Sequence, residues 1–478
     1  MIILSKKKRI LHNSVISLLS NIVTKFANAI VFILVARQAG PFQAGVFSLG
    51  TSCLAIILAL SLGFDEILIR SIARNPSDTW RQVSYISVTR IIVSLFMYIV
   101  LSVILIYHSD FAQFTTNIII FLCISVIPEN FANSAQSTLI AHENFGYIFL
   151  AGILSSITKI AGAFFSLLNG GGLNGVVWTW LAGSVIGAFI QWWGIFRIRT
   201  LSKPTTWVTK EFFFSNYKSL IPFLWIGLFF ALEFQADVVI LSIVRNEKEV
   251  SLYTAPITIL FALLLIAQAI RNGIYPAFVQ NHLSDNTKLF RLYELTFQFL
   301  GALAFPMAFG LSLLSKSIIT NIYSSNFLGA IIPLRIVAWS LVFYYLNVPN
   351  IRIMLVFDKQ SWISIFQAIS LTANLLLNFL LDSRLGAVGA AIARLVSSLI
   401  FFFLCFIFVK SHIRSQNPTR RIIKPLFASL IMAVVIFALR NINIWVLITI
   451  AIVIYSSTYL LIGGINRDDR IWIQQQLT

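Results

Sequence analysis

Charge is scarce in this chain: Asp, Glu, Lys and Arg make up only 11% of it, against roughly a quarter in soluble globular proteins. Acidic residues are scarcer still, 17 against 35 basic ones, which leaves a net charge of +18. The three cysteines, Cys53, Cys123 and Cys405, each lie within apolar sequence, so neither a disulfide framework nor a thiolate zinc site is expected. The histidines His12, His108, His142, His282 and His412 are scattered without metal-ligand spacing. There is no P-loop, no H-E-x-x-H and no G-x-S-x-G. No segment between apolar stretches is long enough to fold as a soluble domain. A water-soluble enzyme, a disordered chain and a secreted disulfide scaffold are all excluded.

What is there is long apolar runs. Hydropathy divides the chain into fourteen candidate helices near 10–36, 43–63, 84–107, 114–140, 147–168, 174–196, 218–244, 252–276, 292–315, 331–357, 361–382, 386–409, 421–439 and 444–463. Each approaches the roughly 20 residues needed to cross a bilayer. Lys6, Lys7, Lys8 and Arg9 precede the first run, which continues past Ala36 without a short cleavable core and reads as a retained helix. With a cytoplasmic N-terminus, the inner loops carry Arg74 and Arg81, then Arg197, Arg199, Lys203, Lys210 and Lys218, then Lys410, Arg414, Arg420, Arg421 and Lys424. This positive-inside bias explains most of the net charge as topology, and no nucleic-acid partner is needed.

The chain also repeats itself faintly. A shift of 214 residues places Ser156 on Ser370, Thr158 on Thr372, Gly175 on Gly389, Ser184 on Ser398 and Phe189 on Phe403. A shift of 208 places Phe26 on Phe234 and Arg37 on Arg245. The expected fold is an all-α polytopic membrane protein of two pseudo-symmetric six-helix lobes, 1–200 and 218–412. A basic cytoplasmic linker, 201–217, joins them, and 413–478 adds a C-terminal helix pair and tail. Duplicated lobes are a transporter arrangement, with the site expected near the midplane.

Ionisable groups inside apolar helices cost a few kcal/mol each on insertion scales, so they mark candidate sites. Lys25, Glu129, Lys159, Glu233 and Arg394 fall mid-helix, and Arg90, Arg271 and Arg352 fall in the cytoplasmic third of theirs. The three arginines either snorkel to inner headgroups or line a cleft. Lys25 and Glu233, superposed by the 208-residue shift, are either an ion pair or separate sites. Glu129 follows Pro128, where a helix kink is expected. Asp237 lies one turn from Glu233 on the same face. Those two carboxylates are candidates for Na+ or H+ coupling or for a gate, with Glu129 a further gate candidate. Lys25, Lys159 and Arg394 with the three inner arginines give the set a positive sign, suited to phosphate or pyrophosphate. A cationic drug would need the opposite sign.

The first two helices carry I-L-V-A-R-Q-A-G-P-F-Q-A-G-V-F-S-L (Ile33–Leu49) and then L-G-F-D-E-I-L-I-R (Leu62–Arg70). This pattern resembles the polysaccharide transporter branch of the MOP exporter superfamily, the Wzx-type O-antigen and capsule repeat-unit flippases. There helix 1 closes with A-R-x-x-G-P and helix 2 begins with G-x-F/Y-S. G-G-L-N-G-V-V (Gly171–Val177) and R-L-G-A-V-G-A-A-I-A (Arg384–Ala393) resemble the segments before helices 6 and 12 of that branch.

The resemblance implies a two-lobed MATE-like bundle in the bacterial inner membrane, with both termini cytoplasmic. It implies translocation of an undecaprenyl-pyrophosphate-linked oligosaccharide by alternating access, without cofactor or catalysis. The spacing of Lys25 and Arg37 resembles two basic positions of the related lipid II flippases, which supports Lys25 as a headgroup contact. A lipid groove on 421–463 is implied by the same relatives. Membrane lipids, a glycan polymerase and a chain-length regulator are the partners such a protein would meet. The rivals are a MATE-type cation-coupled drug antiporter, a membrane-embedded glycan polymerase or ligase, and a scaffold of a glycan assembly complex.

Overall fold

Two residues of the A-R-x-x-G-P signature shape the first element of the computed structural model, which describes residues 2–61, 63–107, 111–198, 221–284, 286–412, 418–440 and 442–464. Gly40 adopts φ +81° inside the helical run α1 (Ile2–Ala59), and Pro41 follows it. A side chain disfavours that φ and proline lacks the amide that a continuing helix needs. The run is therefore two helices, matching the expected spans 10–36 and 43–63.

The further helices are α2 (Gly63–Arg74), α3 (Thr79–Tyr107), α4 (Gln113–Cys123), α5 (Val126–Ala141), α6 (Phe145–Leu168), α7 (Gly172–Arg197) and α8 (Ile221–Val244). They continue with α9 (Glu247–Ser284), α10 (Asn286–Leu313), α11 (Ser315–Ile322), α12 (Ile331–Val356), α13 (Gln360–Leu385), α14 (Ala387–His412), α15 (Thr419–Ala438) and α16 (Ile444–Leu461). Among the described residues there is no strand, and 12 segments are long and apolar enough to cross a membrane. One of them, Leu19–Arg74, holds both halves of α1, and α8 corresponds to the expected span 218–244.

Two departures from the sequence reading have local causes. The segment after the second span is a helix, α2, whose Phe64, Leu68 and Ile72 are buried at four-residue intervals; its charges hide this short amphipathic period from a hydropathy scan. The expected span 114–140 is two helices, α4 and α5, broken at Ile124–Ser125. Pro128 sits in the first turn of α5, where no amide partner is required, and it could not have continued α4.

Contacts divide the chain into two compact units, Met1–Ser251 and Leu252–Thr478. The division falls near the start of α9, and the expected linker 201–217 lies outside the described residues. The physical reason is that α8 packs on α1, with Gly227 against the backbone of Ala59 and Leu60. The C-terminal pair belongs to the second unit: Met432, Ile436, Leu447 and Ala451 share a core with Leu314, and Arg421 pairs with Glu294 at 3.0 Å.

The 214-residue repeat is a duplicated hairpin. Adding 214 to each end of α6 and α7 lands within three residues of the ends of α13 and α14. Gly172 and Gly386, one at each hairpin bend, both have positive φ, 53° and 57°. Gly175 and Gly389 lie close against the preceding helix, on Ser166 and on the Leu381 backbone. Small residues at these places let the helices approach closely, which in a bilayer supplies packing that water cannot drive.

The glycine of the G-x-F-S signature is required for space. A Cβ on Gly45 would overlap the backbone carbonyl of Glu247, whereas one on Gly40 meets nothing. Backbone cannot rotate aside as a side chain can. Gly45→Ala is expected to prevent recovery of monodisperse protein from detergent. Gly40→Ala should cost about 1–3 kcal/mol, because its positive φ with extended ψ is a region essentially kept to glycine, and still fold. Size-exclusion profiles of the two variants check this, and a well-folded Gly45→Ala protein would refute the packing.

Candidate anion-binding site

In the first unit, the break at Ile124–Ser125 starts α5 so that Glu129, in its first turn, meets the side chain that sequence marked as a deep cation. Lys159 Nζ lies 3.4 Å from Glu129 Oε1 and 4.1 Å from the centre of the Trp180 ring. Ser184 Oγ donates to the same Oε1 at 2.8 Å. The stem of Lys159 crosses Gly183, where an added Cβ would meet its Cγ at 2.6 Å. Phe47 of the second-helix signature meets Trp180 edge-to-face at 5.5 Å. Three helices, α5, α6 and α7, thus hold one ammonium between a carboxylate and an indole face. Cation–π contact and ion pairing both gain strength when partly desolvated.

Arg90 is placed differently from the sequence expectation. It is 0% exposed, and its Nη2 meets Asp65 Oδ1 at 2.5 Å, while Ser137 Oγ donates to that same oxygen. A guanidinium enclosed by α2, α3 and α5 ties those helices together. Asp65 belongs to the L-G-F-D-E signature, and this pairing gives that acid its role.

The second unit holds the clearest electropositive group. Arg271 and Tyr275 stand one turn apart on α9. From α12, the Arg352 guanidinium lies 4.7 Å from the Tyr275 ring centre and within electrostatic reach of Arg271. The Nε atoms of both arginines are buried without a hydrogen-bond partner. Neither arginine has a carboxylate within ion-pair distance among the described residues. Two like charges brought together without a counter-ion repel each other, and a bound anion relieves that cost. Arg394 on α14 reaches Tyr253 Oη at 3.5 Å. It occupies the repeat position of Trp180, so the residue that faces Lys159 in one unit is itself a cation in the other.

Lys25 lies on an exposed stretch of α1. On α8, Glu233 is half-buried and Asp237 is 1% exposed. The structure therefore brings together Lys159 with Glu129 and Arg271 with Arg352. Lys25 and Arg394 belong to different units. Sequence reasoning missed Asp65, Trp180, Ser184 and Tyr275. Trp180 could have been found by following Arg394 back 214 positions, and Tyr275 by its four-residue offset from Arg271. It also missed Asp382, a fully buried acid on α13 in line with buried Asn374 and Asn378. Outside the spans, burial pushes the His142 imidazole below its usual range; its Nε2 lies 3.4 Å from Thr79 Oγ1 in the turn before α6.

Comparison with known proteins places these features. The pattern of a family described as polysaccharide biosynthesis protein matches residues 10–282. The chain is 25% identical over 410 residues to a Haloferax volcanii protein named probable low-salt glycan biosynthesis flippase Agl15, covering 85% of this chain and 84% of that one. Its structure is similar to that of the lipid II flippase MurJ in an inward closed conformation, with TM-score 0.76 and 18% identity over 96% of this chain and 100% of that one. It is also similar to an inward-facing multidrug resistance MATE family transporter of the MOP superfamily, with TM-score 0.68 and 15% identity over 82% and 96% of the two chains. The fold is that of the MOP transporters.

Proposed function

We propose that this chain, which belongs to the polysaccharide biosynthesis protein family, is a flippase that carries a lipid-linked oligosaccharide from one membrane leaflet to the other. The observation that carries the reading is the Arg271–Arg352 group, two guanidiniums in an apolar unit with no acidic partner among the described residues. Guanidinium forks match phosphate oxygens in geometry and charge. A lipid-linked sugar is anionic where its phosphates join carrier to glycan, so the headgroup supplies the missing counter-charge. The name of the Haloferax volcanii relative points the same way.

In finer terms, the carrier is undecaprenyl pyrophosphate and the cargo an O-antigen, capsule or similar repeat unit. The protein sits in a bacterial inner membrane with both termini cytoplasmic. Arg271 and Arg352 take the pyrophosphate, and Lys25, Lys159 and Arg394 are further cationic contacts for it during the cycle. Arg90 is left to its structural pair with Asp65. Alternating access exposes the glycan on the far side while the prenyl tail stays in lipid. An Na+ or H+ gradient drives the cycle through Glu233 or Asp237. A glycan polymerase and a chain-length regulator receive the product.

The test is the fate of lipid-linked repeats in a strain lacking the gene. Under this reading they accumulate on the cytoplasmic leaflet as single repeats, and the intact gene restores surface glycan. Accumulation on the outer leaflet would mark a polymerase and contradict it.

A further inference from the structure

The Lys159 cluster is a donor-rich group closed on a single carboxylate oxygen. Lys159 Nζ and Ser184 Oγ both point to Glu129 Oε1, at 3.4 and 2.8 Å. Beside them the Trp180 indole, on a residue only 5% exposed, has an N–H with no acceptor. The ammonium carries three donors, the hydroxyl one and the indole one, so donors outnumber the acceptors that Glu129 offers. The 3.4 Å separation is longer than the roughly 2.7–2.9 Å of a strong charge-assisted bond, so the ammonium is held without being locked. Glu129 itself lies in the first turn of α5.

We propose that Glu129 occupies the place of the substrate's anion in the resting protein and yields Lys159 and Ser184 to a phosphate oxygen when the lipid binds, taking up a proton as it does so. This rests on the reading that the chain moves an anionic lipid and adds how one unit answers the headgroup. In the exchange, the Nζ–H···Oε1 contact breaks and an Nζ–H···O–P contact forms. Ser184 and Trp180 donate to the remaining phosphate oxygens. The Glu129 carboxylate, left without its counter-ion, accepts one proton from water, which its 22% side-chain exposure admits. No electrons move, and the balance is one proton taken up per anion bound.

Charged and polar groups lie on the helices around Glu129. From α6 it faces Lys159, and from α7 Ser184 and Trp180. From α2 and α3 come Asp65 and Arg90, which close on each other, with Ser137 of α5 on the same carboxylate two turns from Glu129. From α1 comes Phe47, packed on Trp180. A proton taken up on binding makes affinity rise as pH falls, by up to about tenfold per pH unit while Glu129 is ionised in the free protein and protonated in the complex.

The experiment titrates polyprenyl pyrophosphate into the purified full-length protein in detergent, by calorimetry in buffers of different ionisation enthalpy. Wild-type protein should take up about one proton per ligand. Glu129→Gln should take up none and bind at least as tightly, with the pH dependence gone. Infrared difference spectra of wild-type protein supply a measurement that needs no variant: a protonated carboxyl band should grow as the lipid is added. Binding without proton uptake, or equal uptake in Glu129→Gln, overturns the exchange and leaves the flippase reading intact. Wild-type protein that binds no polyprenyl pyrophosphate overturns both.

Discussion

Removing the guanidiniums of Arg271 and Arg352 together is expected to abolish binding of a pyrophosphate lipid while leaving the protein folded. Each charge-assisted contact to an anion contributes about 1.5–3 kcal/mol, or roughly ten- to hundredfold in Kd. The double Arg271→Ala, Arg352→Ala variant should therefore bind about a hundredfold to ten-thousandfold more weakly. Its thermal stability should be unchanged or raised, because two like charges without a carboxylate partner are being removed. That direction separates a binding role from a structural one: residues that hold a fold together lower its stability when truncated. Lysine at either position should restore the charge but not the forked geometry, and so recover only part of the affinity. Detergent-phase binding with thermal unfolding of the same samples reads both quantities. Loss of stability with retained binding would contradict the assignment.

The opposite pattern is expected at Arg90. Asp65→Ala leaves a guanidinium with 0% exposure and no ion-pair partner. Breaking a buried pair from one side costs about 3–5 kcal/mol, whereas replacing both partners with apolar groups is often close to neutral. Asp65→Ala should lower the unfolding temperature sharply or abolish expression, and Asp65→Ala with Arg90→Met should recover most of it. Substrate binding by the recovered double variant should match wild type. If instead the double variant folds and has lost binding, Arg90 belongs with the substrate after all.

These two arginine sites illustrate what a sequence can and cannot carry. Hydropathy locates the spans because burial in lipid demands long apolar runs, so helices such as α6, α7, α13 and α14 were legible almost to their ends. The repeat was legible because residues such as Gly175 and Gly389, which pack close against the preceding helix, recur at one fixed offset. Charge in apolar sequence marked Arg90, Lys159, Arg271 and Arg352 alike, because insertion cost is paid per residue whatever the partner. Partnership was not legible: Asp65 lies 25 positions before Arg90 and Glu129 lies 30 before Lys159. Asp65 stood just past the end of an expected span, where a carboxylate needs no explanation, and Glu129 was marked as a gate candidate with no partner legible. The amphipathic α2 was missed for a related reason, since Phe64, Leu68 and Ile72 are outnumbered locally by polar residues. The unit boundary depends on where α8 packs, which no local pattern encodes.

The fold is shared with both flippases and drug transporters, so topology does not choose a cargo. Under the proposed function the sign of the charges does. Cationic drugs would be repelled by Arg271 and Arg352, and an anionic headgroup drawn to them.

Movement of a fluorescent polyprenyl-pyrophosphate oligosaccharide in proteoliposomes tests that claim most directly, with the label on one leaflet quenched by a membrane-impermeant reagent. Wild-type protein should expose the protected half to the quencher far faster than protein-free vesicles do. The Arg271→Ala, Arg352→Ala variant, reconstituted to the same density, should fall to the protein-free rate. A variant that translocates the lipid as fast as wild type would contradict the account.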